Sequence, residues 1–212
     1  MSKTIVCYGD SNTFGADMSS PRGRFSMRWP LIMADELGSA YDIMEEGLNG
    51  RTAATDDTMM GNDLNGLRSL PERLDANAPI YLLIIMLGTN DVKEKYGLSP
   101  QQITENVGLL ISLAEKSTVW QDDPRILLIA PTPLDEKIVS ASRMGLAFGE
   151  GCVEKSKALA GLYKDLAESR ACYLMDASEY ITVGDIDYVH LSQDGHTGLG
   201  KAVAAFLRAN EL

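Results

Sequence analysis

Short apolar runs alternate with longer amphipathic stretches along this chain, and the alternation restricts its fold more than any other feature. Five runs are typical of strands, at residues 4–8, 41–44, 81–87, 126–130 and 173–175. Three of these are continuously hydrophobic, as expected for strands that are covered on both faces. Five stretches have helical periodicity, at residues 29–37, 64–77, 100–116, 152–169 and about 195–209. This order predicts an α/β fold in which helices flank a five-stranded parallel sheet.

The length fits one domain of this kind. A chain of 212 residues can bury a substantial core but is short for two ordinary domains. No Pro/Ser-rich linker, internal repeat or low-complexity tract divides it, so we expect a single domain over residues 1–212. No apolar run is long enough for a signal peptide or a membrane span, so we expect a cytoplasmic protein with no membrane partner.

Charge and cysteine usage argue against several classes of function. The chain has 19 Lys and Arg against 30 Asp and Glu, and its net charge of −11 disfavours nucleic acids and anionic membranes as partners. The three cysteines are widely spaced, odd in number and without a C-x-x-C pair, so neither a disulfide framework nor a zinc site is indicated. The acidic pairs at 45–46, 56–57 and 122–123 are expected to be solvated loop acids rather than metal ligands.

Polar turns, three of the four with glycine, follow the predicted strands. They lie at residues 9–13, 45–52, 88–91 and 187–190. Ligands of open α/β sheets bind beyond the carboxyl ends of the strands, so we expect these turns to form one site.

The residues of these turns fit acyl transfer. Ser11 can supply an exposed nucleophilic hydroxyl if it starts the turn after a buried strand. The chain has two histidines, and His190 is preferred as the base because Asp187, three residues earlier, can orient its imidazole. His196 also has an aspartate nearby, Asp194, but it falls at the start of the last predicted helix and is the weaker candidate.

A tetrahedral intermediate also needs hydrogen-bond donors for its oxyanion. Gly50 can bring its backbone N–H close to a substrate because it has no Cβ, and Asn90 offers a side-chain amide. The backbone N–H of Ser11 is the third candidate donor.

The segments GDS (9–11), EEGLNG (45–50), GTND (88–91) and DYVH (187–190) resemble the four blocks of the SGNH, or GDSL-like, hydrolase superfamily, in the right order over nearly the whole chain. The longer strings YGDSNTFG, EEGLNGRT and HLSQDGH are similar to its bacterial arylesterase/acyltransferase branch. The resemblance implies a flavodoxin-like three-layer fold, a Ser11–His190–Asp187 triad, and an oxyanion hole of Ser11, Gly50 and Asn90. It also implies no metal, no organic cofactor, and acyl transfer to an alcohol as well as to water.

Two positions depart from the usual blocks of that superfamily. Glu45 opens the second block where Asn is usual, although the arylesterase branch shares Glu-Glu-Gly. Asn12 follows the nucleophile where many members have Leu, and we expect its side chain to point away from the nucleophile and to matter little for catalysis.

These features predict a serine esterase that acts on small carboxylic esters, with water or an alcohol as the acyl acceptor. A carbohydrate O-acetyl esterase or a thioesterase on the same site is an alternative. A flavin-binding module, with residues 11–13 around a phosphate, is a remote one, because it leaves Asn90, Asp187 and His190 without a role. A P-loop-like frame at 195–201 lacks the Ser or Thr that would hold Mg²⁺.

Two segments are open to interpretation from sequence. The Met-rich residues 58–62 could form a lip over the site or a subunit contact, and residues 135–151 are expected to be a long loop that covers the pocket or packs on another subunit. An exposed apolar loop there favours a homo-oligomer. Four apolar residues could line an acyl pocket or equally belong to the core: Phe14, Trp29, Met86 and Leu134.

Overall fold

The computed structural model describes residues 2–20, 23–57, 61 and 64–212. Its main sheet has five parallel strands: β1 (Lys3–Gly9), β4 (Tyr41–Gly47), β5 (Leu82–Met86), β6 (Ile126–Ala130) and β7 (Tyr173–Asp176). They are ordered β4-β1-β5-β6-β7, which is the flavodoxin-like order 2-1-3-4-5 when only these strands are counted. Two short antiparallel strands, β2 (Ala16–Asp17) and β3 (Gly23–Arg24), form a separate ladder beside the sheet.

Helices cover both faces of the sheet. They are α1 (Ser11–Phe14), α2 (Trp29–Leu37), α3 (Gly66–Ala76), α4 (Pro100–Glu115), α5 (Ile138–Ala141), α6 (Met144–Phe148), α7 (Cys152–Arg170) and α8 (Gln193–Ala209), with 3₁₀ turns at Glu94–Tyr96 and Ala177–Glu179. Helices α2 and α8 pack on one face, and α3, α4 and α7 pack on the other. The α/β three-layer fold with a five-stranded parallel sheet is therefore confirmed.

The central strand β1 shows why the predicted strands are continuously apolar. Val6 and Tyr8 contribute to the core under α3, α4 and α7, whereas Ile5 and Cys7 contribute to the core under α2 and α8. All four side chains are fully buried. Since successive side chains of a strand point to opposite faces, a strand between two helical layers needs apolar residues at every position.

The segment 135–151 differs from the expected long loop because it contains the short helices α5 and α6. Ile138 and Phe148 fix it to the core and are almost completely buried. Leu146, between them, has 94% of its surface exposed. The Met-rich residues 58–62, predicted to form a lip over the site or a subunit contact, lie outside the described residues except for Gly61. In the described part of the chain, no helix combines the length and apolar character needed to cross a membrane.

The strand register brings the polar turns together. Gly9 at the end of β1 is level with Gly47 of β4 and with Met86 of β5, so the chain leaves all three strands at one edge. Gly47 permits a close approach there, since a Cβ at this position would overlap the backbone of Thr13 and Phe14.

Candidate active site

Ser11 lies in the turn between β1 and the short helix α1. The helix begins at Ser11, and the preceding residue, Asp10, caps it by accepting a hydrogen bond from the Asn12 N–H at 2.9 Å. This cap ends β1 abruptly and starts a helix with the Ser11 side chain at the sheet edge. The Ser11 residue is 5% exposed.

Asp187 and His190 lie in a tight turn whose second residue, Tyr188, has a left-handed φ of 64°. One oxygen of Asp187, Oδ1, accepts the backbone N–H groups of Val189 at 3.1 Å and of His190 at 3.0 Å. The other oxygen, Oδ2, lies 2.6 Å from Nδ1 of His190. Because a carboxylate only accepts, the proton of the neutral imidazole is assigned to Nδ1, and Nε2 is left as an acceptor.

The Nε2 atom of His190 meets the nucleophile candidate. It lies 2.8 Å from Ser11 Oγ, across a sequence separation of 179 positions. The structure therefore brings Ser11, His190 and Asp187 together in one continuous hydrogen-bonded chain.

Asp187 is ionised in this arrangement. Burial alone would raise the pKa of Asp187, but its hydrogen bond to His190, the positive charge of that ring when it is protonated and the backbone N–H donors outweigh burial and lower the pKa below its ordinary value. A carboxylate beside the imidazole stabilises the imidazolium that forms when His190 takes a proton.

The candidate oxyanion donors Gly50 and Asn90 lie in the loops after β4 and β5, strands that end at the same sheet edge as β1. Gly50 has a φ of 83°, a conformation that side chains rarely adopt, and the next residue, Arg51, accepts a hydrogen bond from Asn90 Nδ2 at 3.1 Å through its carbonyl. The Arg51 guanidinium donates to the Gly9 carbonyl at 2.8 Å, which ties this loop to the end of β1. Among the described residues, the backbone N–H groups of Ser11 and Gly50 have no acceptor.

Asn12 is a site residue that the sequence interpretation missed. It is 4% exposed, and its side chain points to the loop that carries His190. Its Oδ1 accepts the Leu191 N–H at 2.9 Å, and its Nδ2 donates to the Val189 carbonyl at 3.4 Å. Asn12 thus joins the nucleophile turn to the histidine turn, so the side chain after the nucleophile has a contact with the site that we did not expect.

Asp91 is a second residue without a role in the sequence interpretation. Its carboxylate is fully buried and accepts the Ala53 N–H with both oxygens, at 2.9 and 3.1 Å. Burial raises the pKa of Asp91 to about 7. Asp91 therefore connects the turn after β5, which carries Asn90, to the loop after β4, which carries Gly50.

The departure at Glu45 also has a local explanation. Its carboxylate accepts two hydrogen bonds from the Arg28 guanidinium and lies 3.4 Å from an Arg24 nitrogen. Glu45 thus holds the segment that contains β3 against β4. Glu45 is therefore a structural residue in β4, and the prediction of a solvated loop acid at this position is wrong.

The apolar wall candidates mostly pack in the interior. Trp29 and Met86 belong to the core under α2 and α8, and Leu134 belongs to the opposite core. Phe14 is half-buried, with the Arg24 guanidinium 4.3 Å from its ring centre.

A small notch borders Asp187 and His190. Its apolar walls include Met18, Phe25 and Ile186, of which Met18 and Ile186 are exposed. The notch is the apolar surface next to the imidazole.

Comparison with known proteins identifies the family of the chain. The sequence model of the GDSL-like lipase/acylhydrolase family matches residues 7–197. The chain is 31% identical to the M. smegmatis aryl esterase, with a TM-score of 0.90 over 98% of this chain and 99% of that one. It is 36% identical to a carbohydrate acetylesterase from Sinorhizobium meliloti, with a TM-score of 0.87 over 98% and 99% of the two chains. No curated protein sequence matches the chain.

A family match over residues 7–197 and these full-length structural matches leave one assignment. The chain belongs to the GDSL-like lipase/acylhydrolase family and is a carboxylic ester hydrolase with the SGNH fold.

Proposed function

We propose that the chain is a serine esterase that cleaves small carboxylic esters, with Ser11 as the nucleophile, His190 as the general base and Asp187 as its partner. The observation that supports it most directly is the pair of contacts at His190, 2.8 Å to Ser11 Oγ and 2.6 Å to Asp187 Oδ2. Each contact lies in the range of a hydrogen bond that can transfer or hold a proton.

In the first half of the reaction, Ser11 Oγ attacks the ester carbonyl carbon while its proton passes to His190 Nε2. The carbonyl oxygen becomes an oxyanion and receives hydrogen bonds from the Ser11 N–H, the Gly50 N–H and the Asn90 amide. The C–O bond to the alcohol then breaks, and the proton on Nε2 passes to the leaving oxygen. An acyl-Ser11 ester remains.

In the second half, water takes the position of the alcohol. His190 Nε2 removes a proton from the water as its oxygen attacks the acyl carbon, and the same donors stabilise the second oxyanion. Collapse returns the proton to Ser11 Oγ and releases the carboxylic acid. Loss of one oxyanion donor typically costs ~10²–10³ in rate.

The finer substrate class rests on the relatives and on the notch. The similar structures are an aryl esterase and a carbohydrate acetylesterase. The apolar notch of Met18, Phe25 and Ile186 beside His190 supports an aryl or alkyl alcohol portion, because apolar walls bind an apolar group better than a sugar hydroxyl. We propose aryl and alkyl esters as substrates, with acyl transfer to alcohols as a second outcome of the same acyl-enzyme. The 36% identity to a carbohydrate acetylesterase supports sugar acetates as the alternative.

Hydrolysis of p-nitrophenyl acetate tests the proposed chemistry. Ser11→Ala is expected to lower kcat by about 10⁶-fold, the size of effect seen when the nucleophile of a triad is removed. A p-nitrophenyl phosphonate is expected to inactivate the wild type and to add its mass to the peptide that contains Ser11. Ser19→Ala, which removes an exposed hydroxyl in the neighbouring segment, is the matched control. Full activity of Ser11→Ala, or a label on another residue, would overturn the assignment.

A substrate panel separates the finer alternatives. Phenyl acetate and an acetylated monosaccharide are compared by kcat/KM, and the aryl ester is run with and without added alcohol. Preference for phenyl acetate, with a new ester formed from the alcohol, is the expected result. Preference for the sugar acetate would assign the alternative substrate class.

A further inference from the structure

We propose that Lys93 is a positioning residue for ester cleavage. Its ammonium group fixes the orientation of the Asn90 side-chain amide and polarises the amide N–H that faces the oxyanion. The proposal rests on the proposed function, since it assigns a role within the same site. Its basis is the contact between Lys93 Nζ and Asn90 Oδ1, 2.7 Å apart.

The two ends of the Asn90 amide are identified by their partners. Lys93 Nζ can only donate, so the atom it meets is the amide oxygen. The Arg51 carbonyl can only accept, so the atom 3.1 Å from it is the amide nitrogen. One amide hydrogen is engaged by Arg51, which leaves the second hydrogen of Nδ2 for a ligand.

Packing holds Lys93 in place. Its side chain is half-buried, and its ammonium lies 5.0 Å from the ring centre of Phe148, which is 1% exposed. Phe148 belongs to α6, in the segment 135–151. Within the described part of the chain, Asn90 Oδ1 is the hydrogen-bond acceptor of Lys93.

Burial lowers the pKa of Lys93 below its ordinary value, and the charge of Lys95 adds to this shift. The carboxylates of Asp10, Asp57 and Asp91 oppose it and favour the ammonium form. Asp57 is engaged with Lys95 at 2.6 Å, and Asp91 accepts a backbone N–H, so Lys93 is left to the amide oxygen.

A cation on an amide oxygen changes the amide nitrogen. It favours the resonance form in which the oxygen is negative and the nitrogen positive, so the N–H becomes a stronger donor. Charge-assisted hydrogen bonds are about twice as strong as neutral ones, and the gain is largest when the acceptor is itself charged. The acceptor becomes an oxyanion only after Ser11 attacks, so the effect belongs to kcat rather than to KM.

The test is a double-mutant cycle on p-nitrophenyl acetate hydrolysis. Lys93→Met removes the charge at similar length, Lys93→Arg keeps a cation, and Asn90→Ala removes the group through which Lys93 acts. We expect Lys93→Met to lower kcat about 10-fold with KM changed less than about twofold, which is less than the ~10²–10³-fold cost of losing a whole oxyanion donor. Lys93→Arg should restore most of that loss.

The cycle distinguishes this role from a structural one. In the Asn90→Ala background, Lys93→Met should change kcat by less than about twofold, because coupled residues are not additive. An equal loss in both backgrounds, or no loss in the wild-type background, would overturn the proposal. Lys164→Met, an exposed lysine on α7, is the matched control and should leave kcat unchanged.

A variant that fails to fold and a failure of the proposed function itself can both be distinguished from failure of the Lys93 role. If Lys93→Met does not fold, Lys93→Gln replaces it in the same cycle and is judged by the same criteria. If wild-type protein cleaves no ester, or if Ser11→Ala retains activity, the proposed function fails. A fully active Lys93→Met in an enzyme that requires Ser11 overturns only the role of Lys93.

Discussion

The two histidines of the chain lie close together in sequence, each with an aspartate just upstream, yet their surroundings are opposite. His190 is in the tight turn 187–190, and both of its ring nitrogens have partners, Ser11 and Asp187. His196 is in the first turns of α8 and is completely buried. Its Nδ1 accepts the Trp29 N–H at 3.4 Å, and its Nε2 has no partner in the described part of the chain.

Backbone geometry accounts for the difference. The left-handed Tyr188 folds the chain back so that the Asp187 carboxylate reaches the His190 ring. Asp194 lies in the first turn of α8 with its side chain exposed, and His196 turns inward against Phe25, 5.3 Å between ring centres. An aspartate near a histidine is therefore informative only when the local backbone can join the two side chains.

The largest expected effect is a difference in kcat between variants of Asp187 and Asp194. Asp187→Asn should lower kcat for p-nitrophenyl acetate by about 10⁴-fold, because an amide no longer stabilises the imidazolium and can favour the wrong tautomer of His190. Asp194→Asn, the matched change beside His196, should alter kcat by less than about twofold. The comparison fails if the two variants lose similar activity.

A smaller effect concerns stability against pH. Burial lowers the pKa of His196 to about 4, below its ordinary value of 6.5. Since the unfolded chain takes up the proton first, stability is fully present above pH 6.5 and is lost as the pH falls toward 4. The loss from this group approaches about 3 kcal/mol.

His196→Phe is the variant that tests this pH dependence. It keeps a ring against Phe25, cannot be protonated, and replaces an Nε2–H that has no partner in the described residues. Urea unfolding of the wild type and the variant between pH 4 and pH 7 measures the difference, and the wild-type curve should fall more steeply. Parallel curves would show that His196 is not buried in the neutral form.

The smallest effect concerns the residue that joins the nucleophile turn to the histidine turn. Asn12→Leu removes both hydrogen bonds to residues 189–191 and leaves a buried carbonyl and N–H unpaired. We expect about 2 kcal/mol less free energy of unfolding, because these groups lose their partners. We also expect about a 10-fold lower kcat, because the His190 ring is no longer held in line with Ser11. Asn12→Asp keeps the acceptor for Leu191 N–H and should lose less stability at neutral pH. Equal stability of Asn12→Leu and wild type would contradict this role.

Much of this architecture is readable from the sequence because its signals are local. The apolar runs predict five strands, and the structure places one at each, with ends shifted by a few residues. The polar turns after the strands predict where Ser11, Asp187 and His190 meet, because parallel strands end at a common edge.

Contacts that depend on distant parts of the chain could not be predicted in the same way. The Asn12–Leu191 contact spans 179 positions, and Lys93 acquires its surroundings only because the segment around Phe148 folds over it. The helices α5 and α6 were missed because each is four or five residues long, too short for periodicity to show. The buried state of His196 follows from the packing of α8 on α2, which no local pattern encodes.

The 179-position separation of Ser11 and His190 has a consequence for biosynthesis. Ser11 leaves the ribosome well before His190, and its hydroxyl does not meet the His190 imidazole until the segment after β7 has been made and docked. A nascent chain therefore holds an inert alcohol at the sheet edge. Under the proposed mechanism, esterase activity arises only after the residues that follow β7 dock at the end of β1, so the appearance of activity would time the completion of the fold.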